Sequence, residues 1–187
     1  MPSLVNFGTR IATMIVGALV LAPLCLAQKK QPSNRDLRSE QEEDIREVAF
    51  VYLFGIGTGP DPDYSHYCLS VDSKGFNDRH DPSDSLLKRF PQARRTIRKF
   101  SECEIVDKHE EPGNSEDLFA AVKDKESGKP AWIISLGPIM WVNGHKVRVE
   151  GERYCGGLCG WWATLEVTLR NGKWKVRIAP GESIMVS

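Results

Sequence analysis

Charge of one sign is the first thing this sequence lacks. Its 187 residues carry 25 Lys and Arg against 25 Asp and Glu, a balance that argues against a general nucleic-acid binder. Long hydrophobic runs are missing too: the apolar stretch from Ile11 to Ala22 falls short of the roughly 20 residues that a membrane span needs. No Gly-x-Ser-x-Gly, His-Glu-x-x-His or calcium-loop pattern occurs, which removes the usual signatures of a serine hydrolase, a zinc protease and an EF-hand. Histidine is scarce, and His66, His80, His109 and His145 are scattered and read as surface or turn residues. The glycine-rich Gly55-Ile-Gly-Thr-Gly-Pro60 has no Lys-Ser/Thr ending and follows a helical pattern; it reads as a helix stop, since a phosphate loop follows a strand and opens a helix. Repeats and low-complexity tracts are absent, and no motif calls for a cofactor.

What is present begins with an export pattern. Arg10 alone carries positive charge before the apolar run, and Pro23, Leu24, Cys25, Leu26 and Ala27 lead into Gln28-Lys29-Lys30. A basic start, a short apolar middle and a small residue before polar chain form a secretory signal peptide. The expected division is residues 1–27 as signal peptide, 28–38 as a flexible tether and 39–187 as a single domain. Export to the periplasm or beyond the cell is the reading, and anchoring through the N-terminal segment is the alternative. Bulky Leu24 before Cys25 fits a lipid anchor poorly.

Signal removal takes Cys25 and leaves Cys68, Cys103, Cys155 and Cys159. Four cysteines in an exported chain point to two disulfides, with three pairings open. Cys155 and Cys159 flank Gly156-Gly157-Leu158; a disulfide needs Cα atoms about 4.4–6.8 Å apart, and the glycines let the chain reverse there. The short loop favours this pair and leaves Cys68 with Cys103. On loop entropy the two bonds contribute about 2 and about 4 kcal/mol respectively. A zinc site on Cys-x3-Cys and a redox pair are the competing readings. Glycines and export favour the structural bond over zinc. A redox cysteine draws its low pKa from a helix N-terminus or a cation, whereas Cys159 runs into β-compatible Trp161-Trp162-Ala163.

Ser39 with Glu42 fits a capping box, and Ile45, Val48, Ala49, Tyr52 and Leu53 repeat at helical spacing. Phe50, Val51 and Phe54 make the second half of this helix apolar all round, so burial is expected there. Tyr64 to Val71 reads as a strand, and Asp81-Pro82-Ser83-Asp84 as the cap, first turn and early acid of a short helix. From Cys103 onward the chain reads as successive strands: 103–106, 118–122, 131–136, 139–142, 146–149, 161–170 and 173–178. Asn143-Gly144 and Asn171-Gly172 are two-residue hairpin signals. Across the second, Leu165, Val167 and Leu169 oppose Ile178, Val176 and Trp174, the alternation of a half-buried antiparallel sheet. Counting outward from facing Cys155 and Cys159 puts Arg148 opposite Glu166, with Arg177 on its other side. The fold class expected is α+β: an N-terminal helix packed on a curved antiparallel meander, with an NTF2-like or cystatin-like arrangement as analogy.

Trp174 and Trp161 fall on the apolar parity, while Trp141 and Trp162 fall on the polar one. There they form a candidate ligand surface for a sugar or peptide, unless the basic segment or a helix covers them. Arg94, Arg95 and Arg98, in the basic stretch 88–99, are candidates for an anionic surface. The plainer reading is a solvated face balancing the acidic stretch from Glu102 to Asp117.

Tyr154-Cys-Gly-Gly-Leu-Cys-Gly, Trp174-Lys-Val, Asp81-Pro-Ser-Asp and Ser101-Glu-Cys together resemble a group of small exported bacterial proteins of uncharacterised function. That resemblance implies a similar fold and a bacterial envelope setting, and it carries no catalytic residues. The chain departs from the pattern at its end, Gly181-Glu-Ser-Ile-Met-Val-Ser, where a Trp-Ile-Ser-like ending is expected. The expected function is a non-catalytic binding or interaction domain, with an envelope protein, a glycan or an anionic surface as partner. An enzyme with a pocket between helix and sheet is the alternative class. Mature protein from the envelope should contain no free thiol; alkylation of Cys155 or Cys159 without prior reduction would overturn the structural-disulfide reading.

Overall fold

The computed structural model describes residues 34–56, 64–75, 78–91, 93, 95–106, 121–157, 159–181 and 185–186. All lie in residues 32–187, the larger of two units into which the chain divides. The expected signal peptide, residues 28–33, the loop 57–63, Arg94, His109, the acidic stretch 107–117 and residues 118–120 lie outside the described residues. Among the described residues, no helix is long and apolar enough to cross a membrane.

Helix α1 spans Asn34–Gly55, so residues 34–38 of the expected tether are helical. Neither proline nor glycine occurs between Pro32 and Gly55, and nothing stops the helix from starting before Ser39. Ile45, Ala49, Phe50 and Leu53 are fully buried. Val51 is 56% exposed, so burial is one-sided and the expected all-round burial is not found.

The strands are β1 (His66–Ser70), β2 (Thr96–Lys99), β3 (Cys103–Val106), β4 (Ala121–Asp124), β5 (Ala131–Leu136), β6 (Met140–Asn143), β7 (Lys146–Gly156), β8 (Cys159–Arg170), β9 (Lys173–Ile178) and β10 (Met185–Val186). Eight form a strongly curled, mostly antiparallel half-barrel, in the order β10-β8-β7-β5-β1-β2, with β6 on β7 and β9 on β8. Long β7 and β8 change partners midway. β7 pairs with β6 through Arg148 and with β5 from Gly151 on; β8 pairs with β10 at Trp161 and Trp162 and with β9 from Leu165. Strand β1 runs parallel to both β2 and β5, which corrects the expected antiparallel meander at this end. Its connection to β2 includes the short helix α2, Asp84–Leu87, and parallel neighbours need such a crossover.

α1 fills the concave face, where its buried residues meet Tyr67, Leu69, Ile134, Leu136, Val147, Val149, Leu165 and Val167. The convex face is covered at the β1–β5 end by the β3–β4 ribbon. Cys68, Cys103, Val122, Ala131 and Ile133 make a second small core there. Covered on both sides, every residue of β1 is buried. Cys68 is joined to Cys103 and Cys155 to Cys159, with Cα separations of 6.2 and 5.4 Å, which is the expected pairing.

The register of the β7–β8 hairpin follows the count from the cysteines, with Val147 opposite Val167, Arg148 opposite Glu166 and Val149 opposite Leu165. A bulge between Tyr154 and Gly156 is confined to the tip and does not shift that register. Arg177 stands opposite Glu166 from β9. Glu166 accepts from Arg177 Nε (3.0 Å) and from the diagonal Lys146 Nζ (3.2 Å), so lysine occupies the ion-pair position expected of Arg148. Arg177 and Lys146 hold the carboxyl of Glu166 below the usual carboxylate range.

At the partner change in β7 sits Gly151, opposite Leu136 and Ala163. A Cβ there would stand 2.9 Å from Leu165 Cδ1 and 3.2 Å from Leu53 Cδ2. Both leucines are fully buried, so neither yields without disturbing the helix–sheet contact.

Gly151→Ala should therefore lose about 1–3 kcal/mol of stability in urea unfolding; unchanged stability would show that the leucines move freely. Because the folded-state pKa of Glu166 is lowered, its ion pairs stabilise fully above the ordinary glutamate pKa of about 4.3 and are lost as pH falls below it through the folded value. Glu166→Gln should be less stable than the parent at neutral pH, and the difference should shrink on acidification. A difference independent of pH would assign its effect to packing.

Candidate functional site

Four strands bring aromatic and guanidinium groups together at one end of the concave face. Tyr67 pairs with Trp132, Ile134 with Arg153, and Arg153 with Trp161, and paired positions share a face. From above, Phe54 of α1 stacks on Tyr67, with centroids 4.8 Å apart and planes 4° apart. Arg95 donates from Nη1 to the Tyr67 hydroxyl at 3.0 Å. Trp132 meets the Tyr64 ring at 5.2 Å, and the Arg153 guanidinium lies 4.4 Å from the Trp132 centroid.

Arg153 is the unusual member. It is only 4% exposed, and among the described residues it makes no ion pair. Its Nε and the Trp132 indole Nε1 are both buried without a hydrogen-bond partner. Desolvation pushes the Arg153 pKa down; the nearby Tyr67 acts upward and Arg95 adds a like-charge downward push. Cation–π contact with tryptophan offsets part of the desolvation, but two adjacent donors lack an acceptor. Among the described residues, this end offers donors and rings, with neither a nucleophile paired with a base nor a pair of carboxylates.

The convex layer holds more conventional catalytic residue types, arranged differently. His66 is buried, which corrects its reading as a surface or turn residue, and its Nδ1 lies 2.7 Å from Ser65 Oγ. Asp124 is fully buried, but its Oδ1 accepts from Ser127 N (2.7 Å) and Oγ (2.6 Å), and its Oδ2 faces Arg98 Nε (3.1 Å). Burial alone would raise the Asp124 pKa, yet Ser127 and Arg98 hold it below the usual value. A carboxylate so committed reads as a turn and ribbon anchor. Arg79 likewise donates to Glu152 at 2.8 Å beneath the Phe100 ring. Among the described residues, no group of three or more His, Cys, Asp or Glu is placed to hold a metal.

The residues singled out from sequence do not form one surface. Trp141 faces the core side, paired with Val147, against the expected polar parity. Its Nε1 donates to Glu42 (3.3 Å), Arg38 lies over its ring and Trp174 meets it edge-on, so α1 covers it. Trp162 is on the polar face and 42% exposed. Arg94 lies outside the described residues, Arg95 belongs to the concave cluster, and Arg98 is paired with Asp124 and Glu126 on the convex side. Arg89 is held by Glu43, Asp44 and Glu47 of α1, and Lys99 by Asp84. Among the described residues, the stretch 88–99 is thus divided between two faces and neutralised mainly by the helix and α2.

Arg153, Trp132, Tyr67 and Tyr64 escaped the sequence reading. The signal was available: Val147, Val149 and Gly151 alternate inward on β7, and continuing that parity by one step puts an arginine on the core face. Compared with known proteins, the chain matches no family model, no curated protein and no solved structure.

Proposed function

We propose that this chain is an exported, non-catalytic binding domain of a bacterial envelope, periplasmic or secreted after loss of its N-terminal signal peptide. The observation that carries the reading is the cluster of Arg153, Trp132, Tyr67 and Arg95 inside the curled sheet, in which the buried Arg153 Nε and Trp132 Nε1 donors have no acceptor. The cluster's named residues include no His, Cys, Ser or carboxylate to act as base or nucleophile, and rings with guanidinium groups suit the holding of a ligand. Two cysteine pairs joined within the fold fit an oxidising compartment. Membership of the group of small exported proteins that share the Tyr154-Cys-Gly-Gly-Leu-Cys-Gly motif belongs to the same proposal, as does the NTF2-like or cystatin-like analogy for a helix laid across a curled sheet. A ligand entering the concave end is better supported than the anionic surface named from sequence, because Arg89, Arg98 and Lys99 of the basic stretch are already ion-paired. For a glycan, exposed Trp162 is the remaining contact, and it stands alone.

The purified mature chain, profiled by thermal shift against a panel of neutral, anionic and glycan compounds, should gain stability with a compound it does not alter. Turnover of any bound compound would replace this reading with the enzymatic one. Absence of any stabilising compound would favour a protein partner instead.

A further inference from the structure

We infer that Arg153 and Trp132 form the seat for the carboxylate of a small organic anion with a flat apolar body, an inference that rests on the binding-domain reading. Three donors point to the acceptor. The Arg153 Nε–H and the Trp132 Nε1–H are buried and unpartnered, and the two side chains touch, with the guanidinium 4.4 Å from the ring centroid. The Tyr67 hydroxyl accepts from Arg95 and keeps its own proton to donate. A buried donor without an acceptor is costly, and a buried charge without a counter-charge more so. Water satisfies donors but brings no negative charge, whereas one carboxylate supplies both needs.

The surroundings set the rest of the ligand. Tyr67 and Arg153 are each 4% exposed, and Phe54, Tyr64 and Trp161 provide apolar ring surface around them. Such surroundings favour a single negative charge with an apolar remainder. Inorganic phosphate carries more charge than the Arg153 guanidinium offsets, and its desolvation is penalised accordingly. Acetate satisfies the donors but leaves the rings unused.

The test uses the purified mature chain titrated with benzoate, with acetate, inorganic phosphate and the neutral isostere benzamide as comparisons. Benzoate should bind saturably, quench tryptophan fluorescence and shift the Trp132 indole N–H resonance, assigned through Trp132→Phe. Arg153→Met, which keeps the stem and removes the charge, should weaken benzoate by roughly tenfold or more without lowering Tm in the absence of ligand. Arg153→Lys keeps the charge without the planar fork and should weaken benzoate less than methionine does. Benzamide binding as tightly as benzoate overturns the anion. Acetate or phosphate binding as tightly overturns the flat body. A markedly lower Tm for ligand-free Arg153→Met overturns the seat, because a carboxylate of this chain would then be the partner of Arg153. Failure of all four probes, alongside a neutral compound stabilising the chain in the profiling panel, rejects this inference and keeps the binding domain.

Discussion

Everything in this fold depends on how closely α1 approaches β7 and β8. Leu53 and Leu165 both reach the space that a Cβ of Gly151 would fill, so the sheet can bend around the helix where a side chain would hold it away. The partner changes in β7 and β8 surround the same point: β6 leaves and β5 joins on one strand, while β10 gives way to β9 on the other. Curvature gathers Tyr67, Trp132, Arg153 and Trp161 from four strands onto one inner surface. A flatter sheet would spread them out.

Local chemistry was easy to read where it alone decided the outcome. At Asn171-Gly172 both residues take positive φ, 51° and 72°, and the expected hairpin forms with its register intact. Asn143-Gly144 carries the same letters and behaves differently. The Asn143 side chain accepts from His145 N at 2.9 Å, as in an Asx turn, and the turn moves one residue along. The register of β6 shifts between Trp141 and Asn143, and that slip carries Trp141 from the expected polar face to the core. Nothing in the letters separates these two turns.

What remained illegible is non-local. The place of β1 between β2 and β5 is fixed by contacts across the chain, with no turn to announce it. The division of the basic stretch between α1, Asp84 and Asp124 likewise follows from tertiary packing. The candidate site lay between these extremes. Its key residue breaks an alternation that was itself recognisable, since β7 places an arginine where the pattern of Val147 and Val149 calls for an apolar side chain. Local rules failing at a charged residue on a core-facing position is a common mark of function.

The order of elements along the chain has a consequence for how the molecule comes together. α1 precedes every described strand, and β7 and β8, which complete the burial of Ile45, Phe50 and Leu53, come late in the chain. Until β7 and β8 emerge, the apolar side of the helix has only β1 and β5 to cover it. The β7–β8 and β8–β9 hairpins close over short sequence distances, while β1 takes its parallel partners from far along the chain, β2 at Thr96 and β5 at Ala131 opposite His66. A nascent chain halted before β7 presents a sticky amphipathic helix to whatever chaperone attends it.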